Sequence, residues 1–412
     1  MDLAEEHSPA TVNYSVVSAS GLKSNLLEQE KNQSGLLRKP LTQYSFLLFG
    51  AGLMMPWNSI LAIMDFFEAS FPDQKPQFSI LVAVSAPLFL VQLLAYFFLQ
   101  LVPIQLKMTV MFTVNAVLMV LFALLPIHIQ DQSTGYICVL LLSVVLGCTY
   151  AVLQSSLYAV AGSDAGLINK FNLGMGLSGL AINLTRMGFL ALITNLDIEA
   201  QCFLYGSALY LLVCAYLSFI FVKAYQADPV SEKFRTIVPV RERYDSTIKV
   251  YRLIWREAWE QVIIWTVQFS FYPGVILEPQ FQFSFTSNFS WFVITVVTFY
   301  SVMDVFGRSL ANIKDLISKR ALFPVNILRA IFFTVLYVLT WEQVCEQFFG
   351  NQWFIIILLG LFSSTCGYLV TVGMKYGSDE ESGDRSIAGT LLGIHLSFGI
   401  TLGSTIAILF FS

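Results

Sequence analysis

Apolar runs separated by short polar segments cover nearly the whole chain after residue 43. An α-helix rises 1.5 Å per residue, so about 20 apolar residues cross the ~30 Å hydrocarbon core of a bilayer. Eleven runs approach or exceed this length, and they predict eleven transmembrane helices in an all-α polytopic membrane protein. Their approximate bounds are 44–66, 78–101, 106–126, 136–161, 171–195, 203–223, 258–277, 290–311, 321–341, 352–374 and 386–411.

Basic residues follow the same pattern, because they concentrate in alternate loops. Lys and Arg are retained on the cytoplasmic side of a membrane. They lie before the first run, between the sixth and seventh, after the eighth and after the tenth, whereas the opposite loops contain only Lys75. This asymmetry predicts a cytoplasmic N-terminus, an extracellular or lumenal C-terminus and an odd number of spans.

The polar segments predict how the spans are grouped. Residues 1–43 are rich in Ser, Asn, Glu and Lys and are expected to form a mostly disordered cytoplasmic tail. Residues 224–257 form the longest internal connection and carry both signs of charge, which indicates a cytoplasmic linker. We therefore expect a six-helix bundle at 44–223 and a five-helix bundle at 258–412. Such a 6+5, major-facilitator-like layout would place a solute site between the bundles, near the midplane.

Composition excludes a soluble globule. Hydrophobic residues make up 56% of the chain, charged residues only 12%, and the mean hydropathy is +0.69; soluble domains have roughly twice that charged share. The formal net charge of −4 is small and implies no nucleic-acid partner. The lipid bilayer is the partner that this composition requires.

The sequence predicts no enzyme, no cofactor and no metal centre. Metalloprotease, serine-hydrolase and Walker patterns are absent, and Gly174 to Gly179 match GxGxxG only within an apolar span, where small residues favour helix packing. The cysteines show no CxxC spacing; a bridge between Cys202 and Cys345 is conceivable, but free thiols are favoured. The histidines are too scattered for a metal site: His7, His128 and His395.

The eighth span contains the most informative polar stripe. Ser301, Asp304 and Arg308 recur at i, i+3 and i+7, so they share one helical face, and the acid precedes the base by four residues. Charges inside a membrane cost about 3 kcal/mol or more and usually mark solute pathways. We therefore favour a substrate site over the alternative, a structural salt bridge, and Gly307 would let backbone or ligand come close.

The first span predicts an aromatic wall for a cavity. Pro56 removes a backbone donor and tends to kink the helix, which would turn Trp57 and Asn58 inward. Trp57 lies too deep for an interfacial aromatic belt, so we favour a cavity position on which a base could stack. Asp65 lies nearer the outer end of the span. A hydrated gate residue and a functional residue are equally expected there.

Three further polar residues lie within spans. Gln154 in the fourth span can both donate and accept, as a nucleobase edge requires, although an interhelical hydrogen bond explains it almost equally well. Arg186 in the fifth span needs a partner such as Asp304, a carbonyl group or a headgroup, and would act as a latch or an anchor. His395 in the last span could carry a proton, but donation to an adjacent helix is the more common role.

These motifs together resemble the equilibrative nucleoside transporters. The resemblance covers nearly the whole membrane region in the same order, and Asp-x-x-Gly-Arg is its most specific element. It rests on Pro56-Trp-Asn58, Gln154, Gly174 to Gly179 with Arg186, Pro273, Asp304 to Arg308, and Gly367-Tyr-Leu.

The resemblance implies an eleven-span fold of the major-facilitator type and alternating access around a central nucleoside site. By position, Trp57 would stack near the base, Gln154 would bind the base edge, and Asp304 with Arg308 would hold the ribose. Ser301 departs from the family, which commonly has Asn there, so the substrate preference of this chain is open.

We therefore expect facilitative transport of nucleosides or nucleobases. The rival hypotheses are a proton-coupled symporter of the same fold, with Asp65, Asp304 or His395 as proton carriers, and a non-transporting structural or signalling membrane protein. The Asn288-Phe-Ser290 sequon on the outer side favours the plasma membrane, with an internal membrane as the alternative.

Overall fold

The computed structural model describes residues 39–98, 102–129, 131–161, 165–227, 240–313, 316–378 and 385–411. Within these ranges the chain forms eleven long helices and no strand. We number them α1 Pro40–Ala62, α2 Pro76–Phe98, α3 Leu106–His128, α4 Gln132–Ala161, α5 Ala165–Leu192, α6 Leu196–Ala227, α7 Val240–Phe271, α8 Phe289–Ile313, α9 Lys319–Trp341, α10 Gln352–Ser378 and α11 Arg385–Phe411.

Ten of these eleven described helices are long and apolar enough to cross a membrane. This confirms the predicted all-α polytopic class. The exception is α7, whose first half is charged; it begins at Val240 and so extends into the segment predicted as a linker. The predicted tail lies outside the described residues except at its end, as do residues 228–239 of the linker.

The helix contacts repeat between the first six and the last five helices. Helix α1 packs against α5, α2 against α4, and α3 against α6; in the same way α7 packs against α11 and α8 against α10. The two sets meet mainly where α2 contacts α11 and α5 contacts α8. Polar side chains on α5 and α8 therefore lie at the junction of the two sets, although no repeat is evident in the sequence.

Glycines bring paired helices into backbone contact. A Cβ atom on Gly174 would lie only 2.0 Å from the carbonyl oxygen of Leu47, so α5 can approach α1 this closely only with glycine there. The same occurs between α11 and α7, where a Cβ atom on Gly403 would lie 2.3 Å from the oxygen of Thr266. The predicted packing role of Gly174 is confirmed, Gly403 has the same role, and both helix pairs are close-packed.

The two sets are also joined at the end where α1 finishes and α2 begins, which we call the outer end. Gln77 Nε2 donates to Glu278 Oε1 at 3.1 Å, and Lys75 Nζ lies 3.9 Å from the same oxygen. A Cβ atom on Gly274 would lie 2.5 Å from the Phe78 ring, so the segment after α7 presses directly on α2. The outer junction formed by these residues is closed in this structure.

A second carboxyl group lies beside this outer junction. Glu68 belongs to the short helix Met64–Ser70 that follows α1. Burial and the nearby Glu278 carboxylate raise the pKa of Glu68 from 4.5 to about 7, while Lys75 acts in the opposite direction. Burial also raises the pKa of Glu278. The outer junction therefore contains two carboxyl groups whose repulsion depends on pH.

Candidate functional site

The predicted ion pair on α8 is present. Arg308 Nε donates to Asp304 Oδ2 at 2.6 Å, and the two side chains are 28% and 13% exposed. The second carboxylate oxygen, Asp304 Oδ1, is buried and has no hydrogen-bond partner. A buried acceptor without a donor is costly, so Asp304 offers a position where a donor from a ligand would be stabilised.

The packing of α10 fixes where Asp304 lies. A Cβ atom on Gly307 would lie 2.0 Å from the oxygen of Ser364, and one on Gly367 would lie 2.3 Å from the oxygen of Asp304. The same Gly367 Cβ would lie 2.9 Å from Asp304 Oδ1. Of the two partners expected for Gly307, backbone or ligand, the structure shows the backbone of α10. The free carboxylate oxygen of Asp304 lies beside Gly367.

Ser301 makes contacts that its spacing on α8 does not predict. Its hydroxyl donates to the Val297 carbonyl at 2.9 Å and accepts from Asn183 Nδ2 on α5 at 3.2 Å. Ser301 therefore joins α8 to α5, and its recorded partners do not include Asp304 or Arg308. Arg308 approaches the same helix, because its Cδ would lie 3.8 Å from a Cβ atom on Gly176.

Trp57 and Asn58 on α1 lie at the junction of the two helix sets. Both are partly buried. The Trp57 ring centre lies 6.2 Å from that of Phe269 on α7, and Asn58 Nδ2 donates to Ser178 Oγ on α5 at 3.3 Å. Trp57 therefore faces the opposite helix set, as expected for a cavity wall, and it does not occupy the end of its helix.

Gln154 lies on the face of α4 that points to α1 and α5. Its neighbours one turn away make these contacts: the Tyr150 hydroxyl lies 3.2 Å from Met54 Sδ, and the Tyr158 hydroxyl lies 3.9 Å from Met175 Sδ. Gln154 is 2% exposed, and its Oε1 has no hydrogen-bond partner. Like Asp304, it presents a buried acceptor without a donor.

Arg186 and Asp65 form a separate cluster, which corrects two expectations. Arg186 is 0% exposed and binds Asp65 at 2.7 Å and Glu199 at 3.2 Å, so Asp304 is not its partner. Asp65 is 3% exposed and is not a hydrated gate residue. The buried Glu199, which was not predicted from the sequence, supplies the second carboxylate. The cluster holds α5 and α6 to the start of the short helix after α1.

His395 bonds within its own helix, contrary to the favoured expectation of a bond to a neighbour. Its Nδ1 lies 2.8 Å from the Leu391 carbonyl oxygen, so Nδ1 must carry the hydrogen. The ring stacks on Tyr251 with centres 5.5 Å apart and meets Trp259 edge-on. His395 therefore docks α11 on α7 through its ring.

Sequence reasoning missed a buried arginine behind the site. Arg329 on α9 donates to Gln268 Oε1 at 3.2 Å, and Gln268 Nε2 donates to the Tyr300 hydroxyl at 3.1 Å. Tyr300 precedes Asp304 by one turn and stacks on Tyr272 with ring centres 3.8 Å apart. Arg329 is 6% exposed and forms no ion pair with a described carboxylate. A charge inside an apolar run was the signal that could have identified it.

Comparison with known proteins agrees with this architecture. A family model described as "Nucleoside transporter" matches residues 240–412. "Equilibrative nucleotide transporter 8" of Arabidopsis thaliana is 23% identical, with 87% of this chain and 92% of that protein covered. "Equilibrative nucleoside transporter 2" is 24% identical in Mus musculus and 25% in Homo sapiens, each with 90% of this chain and 96% of the relative covered. Over most of its length the chain is similar to equilibrative nucleoside and nucleotide transporters, and its second half matches the nucleoside-transporter family model.

Proposed function

We propose that this protein is a facilitative carrier of nucleosides or nucleobases that works by alternating access. The observation that carries the proposal is Asp304: one oxygen is held by Arg308, which approaches α5 of the other helix set at Gly176, and the other oxygen is buried without a donor beside Gly367. Relatives named equilibrative nucleoside and nucleotide transporters support the substrate class.

The side chains at the junction match the parts of a nucleoside. Asp304 Oδ1 would accept a hydrogen bond from a ribose hydroxyl, and Arg308, which has five N–H donors, would donate to sugar oxygens. Trp57 would stack on the base, and Gln154 Oε1 would accept from a donor on the base edge. Binding would supply the hydrogen-bond partners that these buried acceptors lack.

The helix contacts support rocking of two bundles about this site. We assign a six-helix bundle to α1–α6 and a five-helix bundle to α7–α11, with eleven spans, a cytoplasmic N-terminus and an outer C-terminus. The closed outer junction at Glu278 would separate when the site opens outward. We place the protein in the plasma membrane. Proton coupling has little support, because Asp65 is paired with Arg186 and His395 bonds to its own helix.

Uptake in cells that lack their own nucleoside carriers tests this proposal. Radiolabelled adenosine, uridine and hypoxanthine would be compared for wild type, Asp304→Ala and Trp57→Ala at equal surface expression. Ser309→Ala is the matched control, because Ser309 is exposed on the same helix and bonds only to Val305 of that helix. We expect uptake in wild type and control and a large loss in both site variants; unchanged uptake in both would contradict the site.

A further inference from the structure

Buried polar atoms without partners concentrate in a second place, on α7 near the cytoplasmic side. Glu257, Glu260 and Gln261 are 3%, 2% and 0% exposed. Hydrogen-bond partners are absent for Glu257 Oε2, for Glu260 Oε2 and for both the Oε1 and Nε2 atoms of Gln261. Native proteins satisfy the great majority of buried polar atoms, so a cluster of exceptions needs an explanation.

The neighbouring helix brings two of these groups together. A Cβ atom on Gly373 of α10 would lie 2.6 Å from Gln261 Nε2 and 3.7 Å from Glu260 Oε2. The Gln261 amide and the Glu260 carboxyl therefore face the same point on the α10 backbone. On the other side, Asn326 Nδ2 of α9 donates to the Glu260 carbonyl oxygen at 3.0 Å. Helices α7, α9 and α10 thus enclose the pair.

The charges around this pair do not balance. Lys319 at the start of α9 lies 3.3 Å from Glu257 Oε1 and is its ion-pair partner. Glu260, one turn further along α7, forms no ion pair with a described basic residue. The other ionisable groups near it are on exposed or different faces: Arg256 beside the Trp255 ring, Arg320, Lys375, and His395 stacked on Tyr251. The two buried carboxyl groups therefore share Lys319, and the exposed Arg256 adds a weaker attraction to Glu260.

We propose that Glu260 is a proton-binding site that makes transport depend on cytoplasmic pH. A carboxylate only accepts hydrogen bonds, whereas a carboxylic acid has one O–H donor. One proton taken from cytoplasmic water gives Glu260 an O–H donor beside the unpartnered Gln261 amide and removes a buried charge that has no ion pair. The same proton returns to water when the helices separate.

Ionisation of Glu260 would act on the packing of α7 against α10. A negative charge would appear beside Glu257, in a place enclosed by three helices, and repulsion between the carboxylates would favour separation. Gly373 and Gly377 allow close packing only while this face of α7 stays compact; a Cβ atom on Gly377 would already lie 3.4 Å from Glu257 Cβ. Loss of the proton would therefore favour opening toward the cytoplasm.

The test has two readouts: nucleoside exchange, which rests on the proposed function, and thermal unfolding, which is independent of it. Purified full-length protein in proteoliposomes would exchange labelled uridine at equal pH on both sides, so that no proton gradient drives transport. We expect exchange by wild type to rise several-fold from acidic to alkaline pH. Glu260→Gln should remove this dependence while retaining exchange, and Glu242→Gln, exposed on the same helix, should retain both.

Glu257→Gln provides a second variant with a directional outcome. Lys319 would then be available to Glu260, so the pH midpoint should move to more acidic values. In parallel, the apparent unfolding temperature in detergent should depend on pH more strongly in wild type than in Glu260→Gln. Absence of exchange in wild type would overturn the proposed function alone, because the unfolding comparison would still test the proton site.

Two results would overturn the proton site. One is the same pH dependence of unfolding in wild type and Glu260→Gln. The other is exchange that follows sodium concentration at constant pH when sodium replaces choline, which would mean that the carboxyl group binds a metal cation.

Discussion

Two arginines on opposite sides of the helix junction differ in how completely they are neutralised. Arg186 is fully buried between two carboxylates, so its charge is more than compensated. Arg308 has one carboxylate partner, and that partner keeps a buried oxygen free. The Arg186 cluster holds helices together, and its two atoms without a hydrogen bond, Asp65 Oδ1 and Arg186 Nη1, face each other at 2.7 Å. An unsaturated cluster gains from a ligand, which is why we place the substrate at Asp304.

The largest effect should come from breaking the saturated cluster. Arg186→Ala would leave Asp65 and Glu199 buried without a counter-charge, and loss of one partner from a buried ion pair costs about 3–5 kcal/mol. We expect little folded protein at the surface and a much lower apparent unfolding temperature by size-exclusion profiling. Arg186→Lys should be milder, because it keeps the charge. Normal stability of Arg186→Ala would contradict the structural role assigned to the Arg186 cluster, and with it the distinction from the Asp304–Arg308 pair.

The unsaturated cluster should respond in the opposite way. Asp304→Asn keeps the shape of the side chain, so the protein should fold, but it removes a charged acceptor; hydrogen bonds to charged groups contribute about 1.5–3 kcal/mol. Because 1.4 kcal/mol corresponds to a factor of ten, uptake efficiency should fall on the order of 10- to 100-fold. Kinetics at equal surface expression would measure this. A variant that failed to fold would instead assign Asp304 a structural role.

A glycine substitution can sharpen the comparison without removing either charge. Gly367→Ala would place a Cβ atom 2.3 Å from the Asp304 carbonyl oxygen and would push α10 away from α8. Overpacking of this kind costs about 1–3 kcal/mol. We expect reduced uptake together with moderately reduced thermal stability. Gly206→Ala on α6, where nothing lies within 4 Å, is the matched control and should keep both.

The smallest effect should be the pH dependence of the outer junction. Since the closed junction raises the pKa of Glu68 from 4.5 to about 7, it loses stability as pH rises between these values. The labelling rate of Phe78→Cys by an impermeant thiol reagent, in a Cys345→Ser background, is divided at each pH by that of the exposed Asp73→Cys, because thiolate reactivity itself rises with pH. This ratio should increase with outside pH. Glu68→Gln should flatten this profile, and the exposed Asp73→Asn should not. A flat wild-type profile would contradict the role of Glu68.

The site was only partly predictable. The spacing of Asp304 and Arg308 specified their ion pair, because residues four apart in a helix are neighbours wherever that helix packs. The partner of Arg186 could not be predicted in this way, since Glu199 lies on another helix and only helix packing brings it near. The hydrogen bond from Asn183 of α5 to the Ser301 hydroxyl could not be predicted either, because it also depends on helix packing; the role of Ser301 in binding stays a prediction.

The sequence by itself determined the helical membrane class, the approximate positions of the spans, the resemblance to equilibrative nucleoside transporters and the charged stripe on α8. These follow from hydropathy, helical periodicity and local motifs, which are properties of short segments. The tertiary structure alone decided which buried charges are neutralised and which polar atoms lack partners. Those properties depend on distances of a few ångströms between helices far apart in sequence, and they distinguish the Arg186 cluster from the groups assigned here to substrate and proton binding.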